Sequence, residues 1–186
     1  MEQDFLDIFG LIISAEGGYD TNREDSGNWT SGKIGEGELK GTKFGIDAAS
    51  YPKIDIPNLT LDQAREIYNK DYWLPSRSDL WHKGLDYLVF DCAVNQGLGF
   101  ALKTLQISAG VFPDGVIGPV TINAVASAPL LLLIDEYCAR RAVRYAEIGN
   151  KNFLLGWFRR LIKAHHQGIV MAVLDGKNPN TKQEES

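Results

Sequence analysis

The sequence lacks the groupings that nucleophilic and metal chemistry require. No Gly-x-Ser-x-Gly elbow presents a serine, and no His-Glu-x-x-His or paired-cysteine spacing presents a metal. His82 stands alone, and His165 and His166 are neighbours, which on a helix point about 100° apart. No metal site and no cofactor is implied. Cys92 and Cys138 each lie among apolar residues (VFDCAVN and DEYCARR), the setting of buried free thiols. Positive charge is not in excess, and a net charge of −5 argues against a general nucleic-acid binder. No apolar run approaches the length that spans a bilayer. The opening MEQDFLDIFG is acidic where a secretory signal is basic, so the expectation is a chain made in the cytoplasm that reaches any outer compartment by a separate route.

What is present suits one compact domain: 186 residues, 44% of them hydrophobic. The expected fold is mainly α, with a small β-hairpin or irregular loop element. A single domain is expected over residues 1–178, as a monomer, and KNPNTKQEES has no apolar residue, so 179–186 read as a disordered tail. Phe5, Leu6, Ile8, Phe9, Ile12 and Ile13 share one helical face, and Glu16 falls on that face one turn later, before a Gly17-Gly18 stop. Residues 20–45 are rich in Gly, Asn, Ser and Thr and read as a long loop or an irregular hairpin. The spacing predicts a short helix over 47–51 stopped by Pro52. A capping box at Thr60 and Gln63 predicts the next helix. GLDYLVFDCAVNQG reads as an apolar, central helix ending at Gly97, and further helices run through GFALKTLQISAGV, PVTINAVASA, PLLLLIDEYCARRAVRYAEIG and FLLGWFRRLIKAHHQGIVMAVLDG. FPDGVIGP between them reads as a tight connector.

Glu16 carries the sharpest chemical expectation. A carboxyl on an apolar face loses hydration, and the negative end of a helix dipole disfavours its anion further, so its pKa rises toward neutrality. A carboxylic acid that keeps its proton near pH 7 can act as a general acid. A helix-end Glu that turns to solvent or pairs with a cation is the plainer alternative. Asp25, nine residues on in a polar loop, supplies the contrasting ionised carboxylate that glycoside hydrolysis uses, although an Asp before Ser-Gly is also an ordinary turn residue. Tyr19, Trp29, Phe44 and Tyr87 offer flat faces for sugar stacking or for the core, Asn95 and Gln96 offer amides for a ligand or for a helix end, and Lys43 is a further substrate-binding candidate.

The ordered set AEGGYD (15–20), DSG (25–27) and GTKFGID (41–47) resembles the glycoside hydrolase family 108 lysozymes, the EGGY muramidases of phage endolysins and related secretion activators. YNKDYW and LDYLVFDCAVNQG resemble that family's central helices. LQISAGVFPDGVIGPVTINAV resembles the peptidoglycan-binding-type region that follows them. The resemblance implies a lysozyme-like fold with its catalytic part at 5–95 and a peptidoglycan-binding-like part at 96–175. It implies Glu16 as the catalytic acid, with Asp25 and Thr42 completing a Glu-Asp-Thr order. Here the stretch before Lys43 and Phe44 is longer than in the family pattern, and adjacency to KFGI favours Thr42 over Thr30. The implied activity is hydrolysis of the β-1,4 bond between N-acetylmuramic acid and N-acetylglucosamine. Two readings stand beside it: a lytic transglycosylase with 1,6-anhydro products, and a non-catalytic wall-binding protein. An endolysin would remain in the host cytoplasm until release, with peptidoglycan as its partner. From Arg140 to Lys177 eight Lys and Arg face two acids, so a basic face with Arg159, Arg160 and Lys163 is expected to meet anionic lipid or outer-membrane surfaces.

Overall fold

Helix α1 (Glu2–Ile13) opens the chain and buries the stripe its spacing predicts: Phe5, Ile8, Phe9 and Ile12 are buried. The computed structural model describes residues 2–13 and 18–176. Glu16 therefore lies outside the described residues, as does the tail expected at 179–186. The chain divides into two compact units, Met1–Asp71 and Tyr72–Ser186. Among the described residues there are seven α-helices and one two-stranded antiparallel sheet, so the protein is mainly α as the sequence implies.

In the first unit α1 packs through Phe9 edge-on to Tyr68, with ring centroids 5.5 Å apart. Tyr68 closes α2 (Leu61–Tyr68), which starts in the expected capping box: the Thr60 hydroxyl accepts from the Gln63 amide, and the Gln63 side chain accepts from Thr60 N–H. Ile46, Ile56 and Leu59 complete this core. Burying such a side chain stabilises by about 1.5–3 kcal/mol. Between the helices, β1 (Thr42–Lys43) pairs with β2 (Ile46–Asp47) in the register Thr42↔Asp47 and Lys43↔Ile46. The two-residue turn between them has φ of 54° at Phe44 and 73° at Gly45, the doubly positive pattern of a hairpin turn that matches strand twist.

The helix expected over 47–51 does not form. Asp47 belongs to β2, and its side chain takes Ser50 N–H while its carbonyl takes Tyr51 N–H. A single turn closed this way satisfies the local donors, and Pro52 supplies no N–H to extend it.

In the second unit α3 (Leu85–Gln96) is central, with every residue from Leu85 to Ala93 buried. Around it lie α4 (Leu98–Ser108), α5 (Pro119–Ser127), α6 (Leu130–Ile148) and α7 (Lys151–Asp175). Helix α7 passes against the start of α3 backbone to backbone. A Cβ on Gly84 would strike the carbonyl oxygen of Gly168, and one on Gly168 would come within 2.6 Å of Leu88. Two glycines at the crossing allow that approach. Cys92 and Cys138 are buried free thiols, as their apolar surroundings predict.

The charges inside this unit follow one arrangement. Arg141 of α6 is fully buried and donates to Asp91 at 2.6 Å, to Gln96 at 3.0 Å and to the Leu88 carbonyl. Arg160 of α7 donates to the other Asp91 oxygen at 3.0 Å. Burial alone would raise the Asp91 carboxyl, but the two guanidiniums outweigh it and hold the group below the usual carboxylate range. The arrangement links α3, α6 and α7 through a fully occupied carboxylate.

Candidate active site

The loop system of the first unit is built around Asn28, a side chain with no exposed surface. Its Nδ2 donates to Asp20 Oδ2 at 3.1 Å and to the Asn22 carbonyl at 3.0 Å, and its Oδ1 accepts from Thr42 Oγ1 at 2.7 Å. Its backbone carbonyl accepts from both Lys40 N–H and Gly41 N–H at 3.0 Å. A carboxylate oxygen and a carbonyl can only accept, so the nitrogen end of the amide must face them, and its oxygen must face Thr42. The Thr42 hydroxyl proton is thereby committed to Asn28, and the Thr42 oxygen is left as an acceptor.

Asp20 and Thr42 are also bridged through their backbones, with N–H to carbonyl distances of 2.9 and 2.8 Å. This pins Thr42 to a residue four positions after Glu16 in the chain. Four residues of backbone reach at most roughly 14 Å. Gly41 makes the close approach possible: its φ is +81°, and a Cβ there would strike the Asp20 carbonyl oxygen and lie 2.8 Å from the Tyr19 ring.

Asp25 sits on the same loop system. It caps the 3₁₀ turn Ser26–Asn28, with Oδ1 accepting Gly27 N–H at 2.9 Å, and it is exposed. Gly27 in turn packs against Asp47, the Cα partner of Thr42, and its carbonyl accepts from Ala49 N–H. Asp25 and Thr42 thus belong to one hydrogen-bonded platform.

The remaining first-unit candidates are placed around it. Tyr19 is 48% exposed and donates its hydroxyl to the Lys40 carbonyl. Trp29 is half-buried, and its indole N–H goes to the Arg23 carbonyl at 3.0 Å. Lys43 donates to the Pro57 carbonyl at 2.9 Å and lies 5.5 Å from the centroid of Phe44. Phe44 is half-buried, and its left-handed backbone is held by Tyr68, whose hydroxyl donates to the Phe44 carbonyl. Strain of this kind costs on the order of 1 kcal/mol and persists where neighbours enforce it.

The three second-unit candidates are engaged internally. Tyr87, offered as a stacking face, is buried; desolvation first and the Asp91 charge second push its hydroxyl up to about 12. Asn95 Oδ1 accepts the Tyr145 hydroxyl. Gln96 Oε1 accepts from Arg141, and its Nε2 donates to the Arg141 carbonyl. Their amides close the helix-end network around α3. Arg160, grouped by sequence with Arg159 and Lys163 on a basic face, instead serves the buried Asp91, while Arg159 and Lys163 are exposed. Asn28 is the residue that sequence reasoning passed over. An Asn in a Gly-rich loop is an ordinary turn residue, and its partners lie six, eight and fourteen positions away.

Residues 9–97 match the model of the glycosyl hydrolase 108 family, and residues 100–162 match a second model, described as a predicted peptidoglycan domain. Among solved structures the chain is similar to that of Brucella abortus SagA, with 26% identity, a TM-score of 0.76, and 97% of this chain and 99% of that one covered. No curated protein matches. The first match takes in the whole Asp20–Asn28–Thr42 platform, and the second the helices that follow α3. The catalytic part of the chain, residues 9–97, is thus similar to the glycosyl hydrolase 108 family, and the protein is a glycoside hydrolase whose partner is peptidoglycan.

Proposed function

We propose that this peptidoglycan hydrolase is an N-acetylmuramidase, cleaving the β-1,4 bond between N-acetylmuramic acid and N-acetylglucosamine. Glu16 gives its proton to the glycosidic oxygen as the C1–O bond breaks and its electron pair passes to the leaving sugar. A water adds to C1 and loses its proton to the Asp25 carboxylate. The observation that supports this reading most is the acceptor-only Thr42 hydroxyl. A water at that oxygen must donate one hydrogen to it, which turns a lone pair away from the threonine. Orientation of this sort lowers a barrier by removing rotational freedom before the reaction. A hydroxyl free to rotate would not impose it. Burial of the α1 stripe as far as Ile12 supports the dry setting that a proton-holding Glu16 needs.

The reading is tested by clearing of a purified peptidoglycan suspension. Glu16→Gln is expected to abolish clearing, Asp25→Asn to lower it strongly, and Thr42→Val to lower it more than Thr42→Ser. Full clearing by Glu16→Gln would remove the assignment.

The phage-endolysin setting, with accumulation in a host cytoplasm before release, belongs to the same proposal and is supported by the motif order. Contact with an anionic envelope surface is supported by one stripe of α7. Leu155 and Ile162 are 61% and 67% exposed there, and Arg159 and Lys163 fall within the same third of the helix circumference. Exposed apolar and basic side chains on one stripe suit a lipid interface.

A further inference from the structure

Among the described residues the three most exposed large apolar side chains are Phe112 (82%), Val120 (72%) and Val116 (68%), and all three line one cavity of about 230 Å³. The cavity lies in the connector from α4 to α5, within residues 100–162. Its walls are set by Gln106, a buried side chain of α4. Gln106 Nε2 shares its two hydrogens among Asp114 Oδ1 at 2.7 Å, the Val116 carbonyl at 3.1 Å and Thr121 Oγ1 at 3.2 Å; its Oε1 accepts Gly115 N–H at 2.7 Å. One buried amide therefore fixes the loop that carries the exposed side chains. Loops that hold apolar groups out in water without such support lose little by folding them inward. This one is held open.

We infer that this cavity is a wall-binding subsite that takes an uncharged amino-sugar ring of the glycan strand, the apolar ring face and acetyl methyl lying on Phe112, Val116 and Val120 and a ring hydroxyl donating to Asp114. The inference rests on peptidoglycan being the partner and deepens that reading. The three side chains expose together on the order of 400 Å², about half of what one partner of a stable protein interface buries, so a second copy of the chain is a poor occupant. A single sugar ring fits the area and the volume. Charge selects within peptidoglycan. Asp114 is the one charged residue lining the cavity, and both of its bonds, from Gln106 and from Val116 N–H at 2.8 Å, fall on Oδ1. Those bonds hold its carboxyl below the ordinary range, which keeps Oδ2 an ionised acceptor. Sugar hydroxyls complement such an acceptor, whereas the carboxylates of a stem peptide would meet like charge.

The test is co-sedimentation with purified sacculi, run on the full chain in a Glu16→Gln background so that the wall persists. The double exchange Phe112→Ser with Val120→Ser is expected to weaken binding roughly tenfold. Leu174→Ser, which removes another exposed apolar side chain, from α7, is expected to change nothing. Glycan strands stripped of stem peptides by an amidase should show the same difference. Equal binding by the double variant, an equal loss in Leu174→Ser, or no binding of the parent to stripped strands would each overturn the inference. If the double exchange shifts the thermal midpoint, Phe112→Trp against Phe112→Leu decides instead: binding is kept by the flat ring and weakened by the branched chain, and equality of the two contradicts a stacked sugar. Clearing by the Glu16→Gln chain would strike the muramidase assignment alone; binding is then compared on ice, before digestion.

Discussion

Thr42 Oγ1 donates to Asn28 Oδ1 at 2.7 Å, and the opposite end of the same amide donates to Asp20 Oδ2 at 3.1 Å. The direction of the first bond is set by the chemistry of the second. Asn28→Asp tests it. The exchange puts a carboxylate oxygen where the amide nitrogen faced Asp20, and two carboxylates about 3 Å apart do not both ionise. One of the pair acquires a folded-state pKa above its unfolded value. Its stabilising protonated form is present at low pH and is lost as pH rises through that value. Wall clearing by Asn28→Asp, taken as a ratio to the parent at each pH, should fall at least about tenfold at pH 7 and recover in part near pH 5. A ratio that does not vary with pH would contradict the role given to the amide.

Alkaline unfolding reads the second unit. Burial pushes the Tyr87 hydroxyl up to about 12 from 10.0, and the Cys138 thiol up to about 12 from 9.0. Both folded pKa values are raised, so the stability they contribute is complete below the unfolded values and is lost as pH rises toward 12. The unfolding free energy from urea titration should begin to drop near pH 9 and fall further above pH 10, by about 4 kcal/mol for the thiol and about 3 kcal/mol for the phenol over the whole window. Tyr87→Phe should flatten the part above pH 10. An unaltered profile in that variant would place the titration elsewhere.

How much of this was legible in the sequence depended on distance along the chain. The Thr60–Gln63 box spans three residues, and the α1 stripe repeats within one helix; both can be read locally. So could the tight connector at DGVIGP, since Asp-Gly and Gly-Pro mark turns whatever surrounds them. Asn28, by contrast, acquires its meaning from Asp20 and Thr42, which only the folded loop brings to it. Asp91 finds Arg141 and Arg160 across fifty and sixty-nine positions, so a wheel drawn on α7 alone assigned Arg160 to the surface. The 47–51 segment misled because a capping Asp before Pro closes one turn as readily as it starts a helix.

The basic residues of α7 now separate into two expectations. Arg159→Gln with Lys163→Gln should weaken binding to vesicles containing anionic lipid, by roughly tenfold or more at low salt, and leave thermal stability alone. Arg160→Gln should instead destabilise the fold by about 1–3 kcal/mol, because the buried Asp91 loses one of its two charged donors. Vesicle binding that fails only with Arg160→Gln, or a stability loss in the surface pair, would reverse this division.

The most direct test of the account is the mass of the products released from purified peptidoglycan by the parent chain and by Glu16→Gln, side by side. The account predicts disaccharide products with a reducing N-acetylmuramic acid end, heavier by one water than 1,6-anhydro products, from the parent, and none from Glu16→Gln. Anhydro products from the parent, or reducing products from Glu16→Gln, would contradict it.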